Sequence, residues 1–485
     1  MTFKEKLIRG GIWNAVSQFG AQGINFVIII ILARLLSPND FGLLGMVTVI
    51  TGFLSYFSEF GMIASIIKKP QIDDLDCNTA FWSGIAFSII VYSIIYFTSP
   101  LISWFYNQPE LTDISRVVSL VFVIGSYSFV PAALEMKRLR YNRIAIIRLV
   151  SLIISGPIAI FSALKGFGVW ALVFQLLIME IVAFLGYLFW VNWKPKFKFS
   201  FLRFNGLFSF GMHITLNNLI KFFSENIDYL LVGKMLGPTA LGLYTMAFRL
   251  SRYPIEKIGP IFKNMLFPAF ASIQNDSERI RINVIRVSAV VPLVTVPFLF
   301  FFYFSSDVIV GIIVGNKWMD AVPMIKIFIV YLFIYSFSFP DEPVMMVTGK
   351  IKQLNLIKII MSLVLLFSGY IMVANFGVKG MTITYTSILS VYYISIKMFT
   401  LELISTRFFA YMSIMKNVYF YCLWIFIIAI ILSYCVPSTT ISGTIIIGIG
   451  ILTITLISVL TYLRIITFKP FKLDFDRCLI YPETN

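Results

Sequence analysis

The chain has 485 residues, 59% of them hydrophobic and only 13% charged, and its 39 Lys and Arg against 23 Asp and Glu leave a net charge of +16. Soluble domains are about 45–50% apolar and about 25% charged, so this composition excludes a soluble enzyme of similar length. It predicts an all-α polytopic membrane protein with no nucleic-acid role, whose basic excess reports topology.

Lys4, Lys6 and Arg9 precede an apolar run over residues 10–36. The run is too long for a signal-peptide core and lacks a small-x-small cleavage site, which predicts a retained first span. Within it Asn14, Gln18, Gln22 and Asn25 are spaced by four, four and three, so they share one helix face. Helix–helix hydrogen bonding could use such a stripe. Its length along the span suits the wall of a hydrated cavity better.

Further spans are predicted near 41–66, 78–99, 114–134, 144–164 and 169–191, the last with Glu180 near its centre. The seventh, 207–233, is the most heavily loaded, with His213, Asn217, Asn218, Lys221, Glu225, Asn226 and Asp228. Lys221 and Glu225 form an i,i+4 pair that could neutralise itself, but a lipid-facing helix has no use for seven polar groups. His213 reads either as a satisfied interior histidine or as a proton carrier. The eighth span, 241–262, places Arg249 and Arg252 near mid-membrane, where an arginine costs about 2.5–3.5 kcal/mol on insertion scales. Glu180 is a candidate partner for one of these cations.

The remaining spans fall near 287–305, 321–347, 355–375, 378–396, 417–435 and 442–463. The total is about 14 spans of roughly 20 residues each. In the tenth, Asp341 and Glu342 lie between Pro340 and Pro343, which predicts a broken helix marking either an ion site or hinge, or a solvated inner mouth. The even count puts both termini on one side. The inner segments collect nearly all loop Lys and Arg, Lys397 among them, and the outer ones hold Lys165, Lys234, Lys317 and Lys379. Both termini are therefore expected to be cytoplasmic. The outer connections Ser37–Asp40, Lys165–Gly168, Gly237–Ala240 and Asn375–Lys379 are short, and the longest lie near 100–113 and 306–320.

Cys77, Cys422, Cys435 and Cys478 fall in no metal-ligand spacing and read as reduced thiols. No nucleotide-binding, zinc-protease or nucleophile-elbow motif occurs. No cofactor, metal site or catalytic residue is expected. Any coupling ion is expected to be H+ or Na+, with Glu180, Glu225, Asp228 and Asp341 as the candidate carboxylates.

An internal repeat underlies this pattern. LLSPNDFGLLGM in the first outer turn is echoed by MLGPTALGLYTM, pairing Pro38 with Pro238 and Gly42 with Gly242. Phe167-Gly168-Val169 pairs likewise with Phe376-Gly377-Val378. Two parallel six-helix lobes follow, 1–206 and 207–400, with two further helices and a tail over 401–485. Substrate is expected between the lobes.

These segments, with SEFGMIASIIK, EMKRLRYNRIAIIRLV, GFGVWALV and FPAFASIQNDSERIR, resemble the polysaccharide exporters of the multidrug/oligosaccharidyl-lipid/polysaccharide superfamily. The branch most similar is that of the colanic acid and teichuronic acid exporters. The resemblance covers roughly residues 5–400. It implies a two-lobed flippase of the cytoplasmic membrane that moves undecaprenyl-diphosphate-linked oligosaccharides outward, with transient contacts to the polymerase and glycosyltransferases of its pathway. It further implies a cationic cavity, at the positions here of Asn14, Gln18, Gln22, Asn25, Lys221, Arg249 and Arg252. Two rival readings are a cation-coupled multidrug exporter of the same superfamily and an integral-membrane glycosyltransferase or polymerase. The short outer loops speak against the enzyme.

Overall fold

A computed structural model describes residues 20–435 together with 448 and 450. Asn14, Gln18, the N-terminal basic residues and the expected fourteenth span lie outside the described residues. The described chain is all-helical and divides into two compact units. One holds residues up to Thr245 with 313–317 and 369–381; the other holds Met246–Ile312, Trp318–Ser368 and the chain from Thr382.

The first unit begins with α1 (Gly20–Leu35) and α2 (Pro38–Glu59). Ser37 caps α2: its hydroxyl accepts from the Asp40 amide, and the Asp40 carboxylate accepts from the Ser37 amide at 2.8 Å. This reciprocal cap, with Pro38 in the first turn of α2, fixes the turn between α1 and α2 where the sequence places it. Next come α3 (Met62–Lys68) and α4 (Asp74–Tyr106). The third span was expected to stop at residue 99, but α4 runs through Pro100. Proline removes the hydrogen bond to the carbonyl four residues back, that of Tyr96. The Ser99 hydroxyl donates to that carbonyl at 2.8 Å, so the helix continues without an orphaned acceptor.

The fourth span is assembled from pieces: α5 (Leu111–Val118), α6 (Leu120–Ser126) and α7 (Phe129–Lys137), with a 46° bend before α7. Then α8 (Tyr141–Leu164) and α9 (Val169–Trp190) form a hairpin within a residue or two of its predicted limits at the turn. The helical run α10 (Phe201–Ser272) breaks at Gly237, whose φ of 83° and ψ of −178° leave the helical region. That is where the outer turn was expected, and only glycine adopts this conformation readily.

At the paired turns the repeat becomes a physical contact. A Cβ on Gly42 would lie 1.7 Å from the Pro238 carbonyl oxygen, and one on Gly242 would lie 1.9 Å from the Pro38 carbonyl oxygen. The relation is reciprocal, and it holds only while both positions lack a side chain.

The second unit contains α11 (Ser277–Ile313), α12 (Val322–Phe337), α13 (Asp341–Val347), most of α14 (Ile351–Leu403) and α15 (Phe408–Cys435). The tenth span does break, over 338–340 between α12 and α13, with Pro340 at the break and Pro343 in the first turn of α13. The run α14 breaks at Gly377 (φ 60°, ψ −145°), again at an expected outer turn. A core of Val284, Val291, Phe337, Phe339, Leu401 and Tyr411 joins α11, α12, α14 and α15. Among the described residues, eight helices are long and apolar enough to cross a membrane, or nine if the bent pair Leu111–Ser126 and Phe129–Lys137 counts as one span.

Candidate functional site

In the first unit the polar residues of α10 sort by position. His213, Asn217, Lys221 and Glu225 recur every fourth residue and all are exposed, so one face of the helix carries a polar ladder. Lys221 Nζ and Glu225 Oε1 are 4.0 Å apart, with both side chains about three-fifths exposed (62% and 61%). An ionised pair cannot be left against hydrocarbon without a penalty of a few kcal/mol per charge, so this face requires water. His213 is exposed, which departs from the interior alternative of the two read from sequence, and its Nδ1 donates to the Ser209 carbonyl at 2.8 Å. The carbonyl can only accept, which fixes the proton on Nδ1. Asn226 turns inward and donates to its own helix, to the Phe222 carbonyl at 2.9 Å.

The wall beside the ladder is aromatic and comes from α2. Phe53 packs on Phe223 with ring centres 5.1 Å apart, and Tyr56 meets Phe222 edge-on at 5.9 Å. Gly52 lets this approach happen, since a Cβ there would meet the Phe222 ring at 3.0 Å. On α1, Gln22 and Asn25 are half-buried, while Ile28 is buried against Gly156 of α8.

Two of the expected coupling carboxylates belong to other arrangements. Asp228 is fully buried and accepts from the Tyr244 hydroxyl at 2.8 Å, a bond that ties together the two arms of α10 around Gly237. Glu180 on α9 lies over Gly125, where its Oε2 would be 3.1 Å from an added Cβ. The cation acting on it is Arg148 of α8.

The second unit holds the two arginines. Arg249 is exposed; Arg252, one turn on, is half-buried with its guanidinium 4.8 Å from the Phe248 ring centre. Asp341, the fourth candidate carboxylate, is fully buried and pairs with Lys397 Nζ at 2.8 Å. Lys397 also donates to the Ser288 hydroxyl at 3.0 Å. Glu342 beside it accepts from the Tyr392 hydroxyl at 2.8 Å and pairs with Lys358 at 3.2 Å.

Lys397 corrects the loop reading, in which it marked an inner connection: α14 continues to Leu403 and buries it. The signal was present in the sequence as a lone lysine ending an apolar run. Its partner lies 56 residues away, beyond any local pattern.

A third set of charges anchors the connection 191–200 between α9 and α10. Arg203 bonds Asp73 at 3.1 Å and Lys196 bonds Asp74 at 3.0 Å. The Lys196 amide donates to Asn78 Oδ1 and the Trp82 indole donates to the Lys196 carbonyl at 2.9 Å. The Asp76 amide and then Arg203 hold the Asp73 carboxyl below its ordinary range. These lysines and arginines, counted as topology signal from sequence, also fasten the seventh span to the start of the third.

A family model described as polysaccharide biosynthesis protein matches residues 31–323. The lipopolysaccharide biosynthesis protein WzxC of Escherichia coli (strain K12) is 28% identical over 357 residues, covering 72% of each chain. The teichuronic acid biosynthesis protein TuaB of Bacillus subtilis (strain 168) is 25% identical over 350 residues, covering 71% of this chain and 72% of that one. Among solved structures, the lipid II flippase MurJ in an inward closed conformation superposes with a TM-score of 0.76 at 14% identity. It covers 94% of this chain and 100% of its own, which shows a shared fold.

Proposed function

The chain belongs to the polysaccharide biosynthesis protein family, and we propose that it flips undecaprenyl-diphosphate-linked oligosaccharide repeat units outward across the cytoplasmic membrane for surface polysaccharide assembly. It is a transporter and not an enzyme, a reading supported by relatives named for polysaccharide biosynthesis and by a flippase of the same fold. Membrane lipids surround it, and polymerase and glycosyltransferases of the same pathway are its transient partners.

The finer topology belongs to the same proposal. Fourteen spans, two six-helix lobes (1–206 and 207–400), two further helices and cytoplasmic termini are supported by the breaks at Gly237 and Gly377, which divide α10 and α14 at expected outer turns. The reciprocal Gly42–Pro238 and Gly242–Pro38 contacts support the repeat.

The observation that carries the substrate reading is the exposed polar ladder His213, Asn217, Lys221 and Glu225 on α10, beside the aromatic contacts of α2. A diphosphate with sugars cannot cross hydrocarbon, because its charges and hydroxyls would lose water without replacement. A wet groove with fixed cations replaces that water while the polyprenyl tail stays in lipid. Lys221, Arg249 and Arg252 are assigned to the diphosphate, and the side-chain amides of Asn14, Gln18, Gln22 and Asn25 to a wall that faces the sugar hydroxyls. Outward movement of each negative charge gains about 2.3 kcal/mol per 100 mV of inside-negative potential. Any ion that resets the empty carrier falls to Glu180 or Glu225, since Tyr244 holds Asp228 and Lys397 holds Asp341.

The test replaces Lys221, Arg249 and Arg252 together by Gln and measures outer-leaflet polymer at matched protein level. Export should be lost. Normal export would mean that these cations only balance neighbouring acids.

A further inference from the structure

Burying an ion pair is expensive. Each ion gives up several kcal/mol of hydration, and apolar residues of similar volume often serve stability as well. The pair in the second unit is more than a bridge between two side chains. Asp341 stands on α13, just past the break at Pro340, and is fully buried; Lys397 comes from α14 with its side chain 8% exposed. Ser288 of α11 accepts a hydrogen bond from the ammonium, and Tyr411 of α15 presents its ring 5.3 Å away. A carboxylate, a hydroxyl and an aromatic face, from three different elements, thus converge on one monovalent cation. That donor set would serve a bare monovalent cation, and here the cation arrives on a side chain. Next to it the Glu342 charge is met by Lys358 and the Tyr392 hydroxyl, so each acid at the broken helix has its own lysine.

We propose that Lys397 is a tethered cation occupying a monovalent-cation site formed by Asp341, Ser288 and Tyr411, so that this site takes up no ion from solution during transport. The inference rests on the transport reading for its meaning, but the site can be tested by binding alone. Removing the ammonium while keeping the carboxylate, as in Lys397→Ala, leaves a buried negative charge in a cage the size of the lost group. Na+ or methylammonium should then bind where wild type binds neither.

The experiment measures equilibrium binding of radiolabelled Na+, and thermal stabilisation by Na+ and by methylammonium, on purified full-length protein. Wild type should show no Na+ binding that depends on Asp341. Lys397→Ala should gain saturable binding and a cation-dependent rise in melting temperature, and Asp341→Asn added to it should abolish both. If Lys397→Ala does not fold, the neutral double variant Asp341→Asn with Lys397→Met decides. It should fold and keep wild-type transport, with whatever ion dependence wild type has. Na+ binding by wild type that is lost in Asp341→Asn would overturn the proposal. So would a folded double variant without transport, because the carboxylate would then be needed for more than its lysine. Absence of transport in wild type itself would count against the flippase reading and leave the binding result standing.

Discussion

Two lysine–carboxylate pairs in this chain have the same chemistry and opposite surroundings. Lys221 and Glu225 sit one turn apart on a single helix, 4.0 Å between charges and about three-fifths exposed. Lys397 and Asp341 come from two elements, 2.8 Å apart and sealed from solvent. Water screens the first pair, so each member remains available to a third charge at little cost. In the second pair neither member can be spared, since the other would be left as an uncompensated buried charge. The difference separates a surface that we propose meets a substrate from a buried joint within the second unit. It also shows why a carboxylate inside a transporter is not by itself a coupling site.

The sharpest way to break this comparison is to remove one member of each pair and follow stability. Lys397→Met should destabilise the protein by about 3–5 kcal/mol, and Asp341→Asn in the same chain should recover most of that loss. Lys221→Gln should change stability by no more than about 1 kcal/mol. Thermal unfolding in detergent, read on protein of matched purity, compares them directly. Equal losses at the two sites would mean that the α10 ladder is packed rather than wet.

How far each pair could be read from sequence follows from the same geometry. The polar loading of α10 and the Lys221–Glu225 spacing were legible because helical periodicity brings fourth neighbours onto one face, but the sorting of its seven polar residues into an exposed face and buried positions was not. The turns at Ser37–Asp40, Gly237 and Gly377, and the break before Asp341, were legible because glycine and proline punctuate helices for local steric reasons. The Lys397–Asp341 joint was not legible. Its members are far apart in sequence, and a lysine at the end of an apolar run looks the same whether the helix stops or is buried there. The length of α4 was missed for a related reason: Pro100 signals an end unless a side chain such as Ser99 satisfies the freed carbonyl.

The next effect tests what the exposed pair does. Exchanging its members, Lys221→Glu with Glu225→Lys, keeps the pair and its neutrality but moves the cation by one helical turn, about 5.4 Å. Stability should be unchanged, while flipping of lipid-linked oligosaccharide in proteoliposomes should fall by about ten-fold or more, since one lost charge-assisted contact is worth roughly 1.5–3 kcal/mol. Full activity in the exchanged protein would show that only the net charge of this face matters. Raising salt should weaken the exposed pair and leave the buried one alone. The melting temperature of the double variant Lys221→Gln with Glu225→Gln should therefore differ from wild type slightly at low salt and converge with it as salt is raised.

The smallest expected effect concerns His213, at the start of the same ladder. Its Nδ1–H bond to the Ser209 carbonyl is an i,i−4 contact, the same geometry in which Asn226 donates to the Phe222 carbonyl. Asparagine can therefore supply the donor that histidine supplies, without a titrating ring. If His213 serves to satisfy that carbonyl and to present a polar edge to the groove, His213→Asn should keep protein level and transport within about two-fold of wild type, the range of exposed substitutions. Transport should also keep the same dependence on pH between about 6 and 8. Loss of a pH dependence that wild type shows in this window would identify His213 as a proton carrier. The first rung of the ladder would then join Glu180 and Glu225 among the candidates proposed to reset the carrier.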